Sequence, residues 1–229
     1  MEFLTSERFH ISRLELSGLP MMESIKKEAQ IWFSLIVILS IWVGILTLTR
    51  TPLSISWETV DKLPEVVTVF VVLRFVFTKW LWRWRGFSYK SWLVQFPDLE
   101  GTWEGELQST WQNPRTGQRE PPIKAFLVIR QTFSTISCTM FTKEMVSFSR
   151  APQLLKDEKA DAIALSFNYT STPKAVIRER SAVHDGAADL RVVRVPQRML
   201  EGQYWTGRCT TGDVRLGFHS EELLEAFPD

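Results

Sequence analysis

The feature that most constrains this chain is an uncharged run of eighteen residues, Ile31 to Leu48 (IWFSLIVILSIWVGILTL). As a helix it would extend roughly 27 Å, close to the thickness of a bilayer's hydrocarbon core. A chain of 229 residues cannot surround so apolar a helix with protein, so the run reads as a membrane span. It is not a cleaved signal peptide, because the charged segment before it is too long and Thr47-Leu48-Thr49-Arg50 is a poor cleavage site.

A second, weaker span is expected over Pro64–Trp82 (PEVVTVFVVLRFVFTKWLW), with Arg74 inside it and Lys79 near its end. Pro64 suits a first helical turn, and the short linker predicts a two-helix hairpin over 29–85. Lys26 and Lys27 precede the first span, and Lys79, Arg83, Arg85 and Lys90 end or follow the second. The linker offers Arg50 and Lys62 against Glu58 and Asp61. Positive charge therefore favours a cytoplasmic location for both outer flanks and for everything after them. Ten tryptophans and fifteen phenylalanines, many of them near these segments, suit the membrane interface. Residues 1–28 read as an N-terminal extension, with Met21-Met22 as a more natural start. An arginine near the middle of a span is costly, so Arg74 is a candidate functional residue of the membrane part.

From Pro97 to Asp229 the periodicity changes to two. Leu99, Trp103 and Leu107 alternate with polar residues, as do Ile123, Ala125, Leu127, Ile129 and Gln131. Further strands are expected over 135–142, 145–149, 165–171, 189–194, 200–210 and 213–218. Gln153–Asp161 reads as a charged connection, His184-Asp185-Gly186 as a turn, and Thr211-Gly212 as the last hairpin turn. About eight short strands predict an eight-stranded antiparallel β-barrel. Leu99-Glu100-Gly101-Thr102-Trp103-Glu104-Gly105 is echoed by Leu200-Glu201-Gly202-Gln203-Tyr204-Trp205-Thr206-Gly207, with one extra residue, which supports closure.

Nothing points to catalysis or to a bound metal or cofactor. His10, His184 and His219 sit in no nucleophile motif, there is no phosphate-binding glycine loop, and Cys138 and Cys209 have no ligand spacing. Both cysteines read as small buried or half-buried residues in a reducing compartment. The near-balanced charge of +1 gives no field for DNA or RNA. Under the alternation, Trp103, Gln131, Tyr169, Tyr204, Thr206 and Arg208 share the interior. One reading is a filled core with a structural Arg–Trp contact. The other is a pocket in which aromatic faces stack bases and an arginine holds phosphate.

The order of parts resembles the two-transmembrane, β-strand-rich effectors of bacterial anti-phage CBASS systems, which are associated with CD-NTases. The hairpin at 31–82, Asp98–Gly105, His184–Leu190 and Leu200–Arg208 carry the resemblance, over roughly 22–219. It implies a barrel that binds a cyclic dinucleotide, followed by homo-oligomerisation of the helices in the lipid bilayer of the inner membrane, membrane disruption and cell death. A membrane-anchored barrel for a lipid or metabolite, and a solid barrel serving as an interaction adaptor, are the alternatives.

Overall fold

The computed structural model describes residues 21–51, 56–84, 96–157, 159–194 and 196–228. The expectation for residues 1–20 lies outside them. Two long helices lead the chain, α1 (Met21–Leu48) and α3 (Leu63–Lys79), joined through the single turn α2 (Trp57–Val60). Leu46 and Val66 are buried where α1 and α3 pack, while Leu35, Ile36, Val67, Val71 and Val72 face outward. Among the described residues, only Ile31–Leu48 makes a helix long and apolar enough to cross a membrane. The second hydrophobic run is a 17-residue helix. It breaks at Trp80 into a 3-10 turn, Leu81–Arg83.

Eight antiparallel strands form a closed barrel in which each pairs with the next and the last returns to the first. They are β1 (Gly101–Ser109), β2 (Ile123–Gln131), β3 (Ile136–Thr142) and β4 (Met145–Asp157), then β5 (Ala162–Pro173), β6 (His184–Val193), β7 (Met199–Thr206) and β8 (Thr211–Ser220). Closure removes the exposed edges of an open sheet. The inward row includes Trp103, Leu127, Ile129, Leu165, Leu190, Leu200 and Leu216, all nearly inaccessible. Phe126, Val128 and Phe141 point outward and are covered by Leu223, Leu224 and Phe227. The segment after β8 is thus a strap across the outside of the barrel, and Thr102 Oγ1 accepts a hydrogen bond from Leu224 N at 3.3 Å.

Three local expectations are corrected. Gln153–Asp157 is not a connection but the second half of β4. The register shifts between Arg150 and Gln153, and Ala151 takes a φ of 46°. This bulge resets the alternation so that Leu154 points inward opposite Leu165. His184-Asp185-Gly186 is not a turn but the start of β6. Thr211-Gly212 is not the last turn either. The chain reverses at 207–210, and Thr211 opens β8.

Both of the last two errors come from a glycine. A Cβ on Gly186 would lie 2.5 Å from the Tyr169 ring, and one on Gly212 would lie 2.5 Å from the Tyr204 ring. These glycines sit in strands to admit a tyrosine, not to bend the chain.

Candidate functional site

The up-and-down order gives the barrel two unlike ends. One carries the starts of β1, β3, β5 and β7 and lies beside the end of α3. The other carries the β1–β2, β3–β4, β5–β6 and β7–β8 connections. The six candidate residues divide between them.

Trp103 and Gln131 belong to the helix end. Trp103 is 1% exposed and donates its indole N–H to the Leu99 carbonyl at 2.9 Å. Its ring meets Phe218 edge-on, with centroids 5.3 Å apart. The guanidinium of Arg198 lies 3.9 Å from the Phe218 centroid and 5.4 Å from that of Trp103. Arg198 also donates to the Asp98 carbonyl at 3.1 Å. The structural Arg–Trp contact is therefore present, but Arg198 supplies it, not Arg208. Gln131 accepts from Leu99 N at 2.8 Å and donates to the Pro97 carbonyl at 3.1 Å. Both polar ends of its side chain are engaged in holding the segment before β1. This end is a plug.

Tyr169, Tyr204, Thr206 and Arg208 come together at the opposite end. Tyr169 and Tyr204 face inward from β5 and β7 over Gly186 and Gly212. Tyr169 is 9% exposed, and its hydroxyl lies 3.4 Å from the Trp205 carbonyl. Burial pushes the Tyr169 phenol up to about 12; Tyr204 adds to the rise, and Arg208 opposes it. The three side chains therefore share one electrostatic environment. Thr206 Oγ1 lies 2.7 Å from Thr210 Oγ1 and accepts from Arg208 N at 3.3 Å, which shapes the turn.

Arg208 itself does not face the interior as the alternation required. It lies in the 207–210 turn, exposed, and its Nη1 donates to Ser181 Oγ at 2.9 Å. An arginine on the rim can reach a ligand without being desolvated inside the barrel, which would be costly unpaired.

Sequence reasoning missed other polar residues at this end. Ser147 Oγ and Ser171 Oγ lie 2.6 Å apart, and Ser171 is 2% exposed. Strand pairing puts His184 on the same face as Ser171. The pattern of Leu165, Phe167, Tyr169 and Ser171 could have found Ser171. His184 was hidden by the reading of its segment as a turn.

A separate groove of about 370 Å³ runs over the outside of β4–β7. Asp157, Asp189 and Glu201 outnumber Arg191 along it, so it disfavours an anion. Cys138 is buried and its thiol is raised to about 12 by burial, whereas Cys209 is exposed in the turn rather than half-buried. Among the described residues no group of three or more histidine, cysteine or acidic side chains could hold a metal.

Residues 94–217, which take in nearly all of the barrel, match the family model described as Cap15, cyclic dinucleotide receptor domain. The chain belongs to this Cap15 family. The match bears out the resemblance read from the order of parts, and the family is by its description one of receptors rather than enzymes. Relatives run beyond the barrel. The chain is 26% identical to CD-NTase-associated protein 15 of Staphylococcus schleiferi over 186 residues, covering 81% of this chain and 91% of that protein. It is 25% identical to the protein of the same name from Escherichia albertii over 146 residues, covering 62% and 70%.

Proposed function

We propose that this Cap15-family chain is a membrane effector of a bacterial anti-phage CBASS system, gated by a cyclic dinucleotide. In this reading 29–85 is a two-span hairpin in the inner membrane and 97–229 a sensor, with both termini cytoplasmic. Ligand at the barrel drives homo-oligomerisation of the membrane helices, membrane disruption and death of the infected cell. The observation that supports it best is the grouping of Tyr169, Tyr204, Thr206 and Arg208 at the end away from the helices. Aromatic faces there can stack bases, and the rim arginine can make charge-assisted contacts to phosphate. A lipid would find a polar interior of Ser147, Ser171 and Thr206 in its way.

The test is a thermal-shift panel of cyclic di- and trinucleotides against the full chain in detergent. A cyclic dinucleotide should raise the melting temperature, and Tyr169→Ala should weaken binding by about 1–3 kcal/mol through loss of a stacking face. If no member of the panel shifts the melt, a solid interaction barrel becomes the better reading.

Arg74 has a proposed part in the damage. It is exposed on α3, and the first span offers it only Ser34, Ser40 and Thr47 as polar residues. The Ser40 and Thr47 hydroxyls are bonded back to Ile36 and Gly44 carbonyls of their own helix. Clustering would gather several guanidinium groups in one patch of bilayer and draw in water and phosphate. Arg74→Leu should insert and bind ligand yet lose dye entry on co-expression with the cognate synthase. Full dye entry at matched protein level would leave Arg74 a bystander.

A further inference from the structure

One arginine bridges the end of the helical hairpin and the plugged end of the barrel. Arg83, in the 3-10 turn that follows α3, makes an ion pair to Asp98 Oδ2 at 3.0 Å from Nε and another to Glu100 Oε2 from Nη2. The Nη2 also donates to the Gln131 carbonyl at 2.5 Å. Glu100 Oε2 in turn accepts the Gln131 backbone N–H at 2.9 Å. One guanidinium is thus shared by both sides of the barrel opening, the segment before β1 and the end of β2. The cluster is partly buried, with the three side chains 29–39% exposed.

A second set of contacts, from a different element, makes the same connection. The β2–β3 loop donates Phe133 N–H to the Thr78 carbonyl at 3.2 Å, one of the carbonyls a helix end leaves without an intrahelical partner. The Phe133 ring packs edge-on against Phe77 at 5.2 Å and Trp82 at 6.4 Å. Trp82 is 3% exposed, and the Arg83 guanidinium lies 5.0 Å from its ring centroid.

From these two sets of contacts we infer that Arg83, Asp98 and Glu100 form a joint that clamps the membrane hairpin to the plugged end of the barrel at a fixed orientation. Fourteen residues lie between Arg83 and Asp98. A free tether of that length would span on the order of 20 Å and pass on little orientation. The ion pairs close its two ends to contact distance. Beyond them, Asp98 is tied to Arg198 and through it to the Trp103–Phe218 plug. A rearrangement of the barrels therefore reaches the helices through a rigid path. This role rests on the effector reading above, while the clamp itself does not.

The experiment uses the full chain in lipid nanodiscs. Hydrogen exchange at the Phe133 amide reports the clamp without any ligand. Arg83→Ala should speed exchange there at least tenfold. Because Arg83 also belongs to the basic flank that orients the helices, Asp98→Asn/Glu100→Gln is the second variant, and it should do the same with the flank intact. Unchanged exchange at Phe133 in both variants overturns the joint. The transmission arm clusters the chain in dye-filled vesicles with a bivalent antibody against a tag added after Asp229, so that ligand binding is not needed. Dye release should fall at least tenfold in the variants, with cyclic dinucleotide affinity within twofold of the parent. Release equal to the parent, with exchange accelerated, makes the clamp a static contact and overturns its transmitting role. A parent that releases no dye on clustering counts against membrane disruption, and the exchange arm still decides the clamp.

Discussion

At the helix end of the barrel, the Trp103 indole N–H and both polar ends of the Gln131 side chain bond to backbone groups, and Arg198 lies over the Phe218 and Trp103 rings. At the other end, Tyr169, Tyr204, Thr206 and Arg208 stand among serines and a histidine, and Arg208 is held by one hydroxyl. The same eight strands build both ends, so the difference is one of side chains and loops. The plugged end contributes stability and meets the end of α3. The other end keeps hydroxyls, two tyrosines and an exposed guanidinium together without such a plug. The contrast teaches that inward alternation alone does not make a residue part of a site, because the position along the strand decides which end it serves.

The largest expected effect is at the plug. Trp103→Ala removes a fully buried ring from between Arg198, Phe218 and Leu99, and should cost about 3–5 kcal/mol of stability, measured by denaturant unfolding of the barrel signal. A loss under about 1 kcal/mol would erase the distinction between the ends. Next, Arg208→Ala should leave stability within about 0.5 kcal/mol and weaken cyclic dinucleotide binding by about 1.5–3 kcal/mol, read by titration calorimetry. The reverse result, with stability lost and binding kept, would exchange the roles of the two ends.

A smaller effect couples fold and site. Gly186→Ala places a methyl group against Tyr169 and should cost about 1–3 kcal/mol through overpacking. It should also shift the late phenol ionisation near 12 in an ultraviolet titration, because the ring must move. An unchanged titration would mean that the backbone, not the ring, gives way.

The smallest effect lies in the wall between the ends. Glu104 is held below the ordinary carboxylate range, first by its hydrogen bond to Lys124 and further by the charge of Lys124 and by His219, against the opposing cost of burial. A carboxylate lowered by folding contributes stability above its ordinary value and loses that contribution as pH falls through the lowered one. Stability should therefore decline with acid below about pH 4.5, and Glu104→Gln should flatten that decline. An unaltered slope in the variant would assign the acid sensitivity to other carboxylates.

Much of this protein was legible in its sequence because the deciding signals are local. Eighteen uncharged residues can satisfy their backbone in a bilayer only as a helix. Period-two alternation in segments such as Ile123–Gln131 gives both a strand and its inward face, and β2 has those same limits. Bulges and close approaches are not local. Ala151 with its positive φ carries β4 on through the segment read as a connection, and Gly186 and Gly212 looked like turn residues because the tyrosines they accommodate lie on neighbouring strands.

The sequence by itself determined the long apolar helix and the barrel, because hydropathy and periodicity act through neighbours along the chain. Only the tertiary structure decided that Trp103 and Gln131 serve the plug, that Arg198 rather than Arg208 stacks on Trp103, and that Arg83 grips Asp98 and Glu100. Those pairings join residues up to about a hundred positions apart. Barrel closure and strand direction set which of them meet, and no spacing along the chain encodes that.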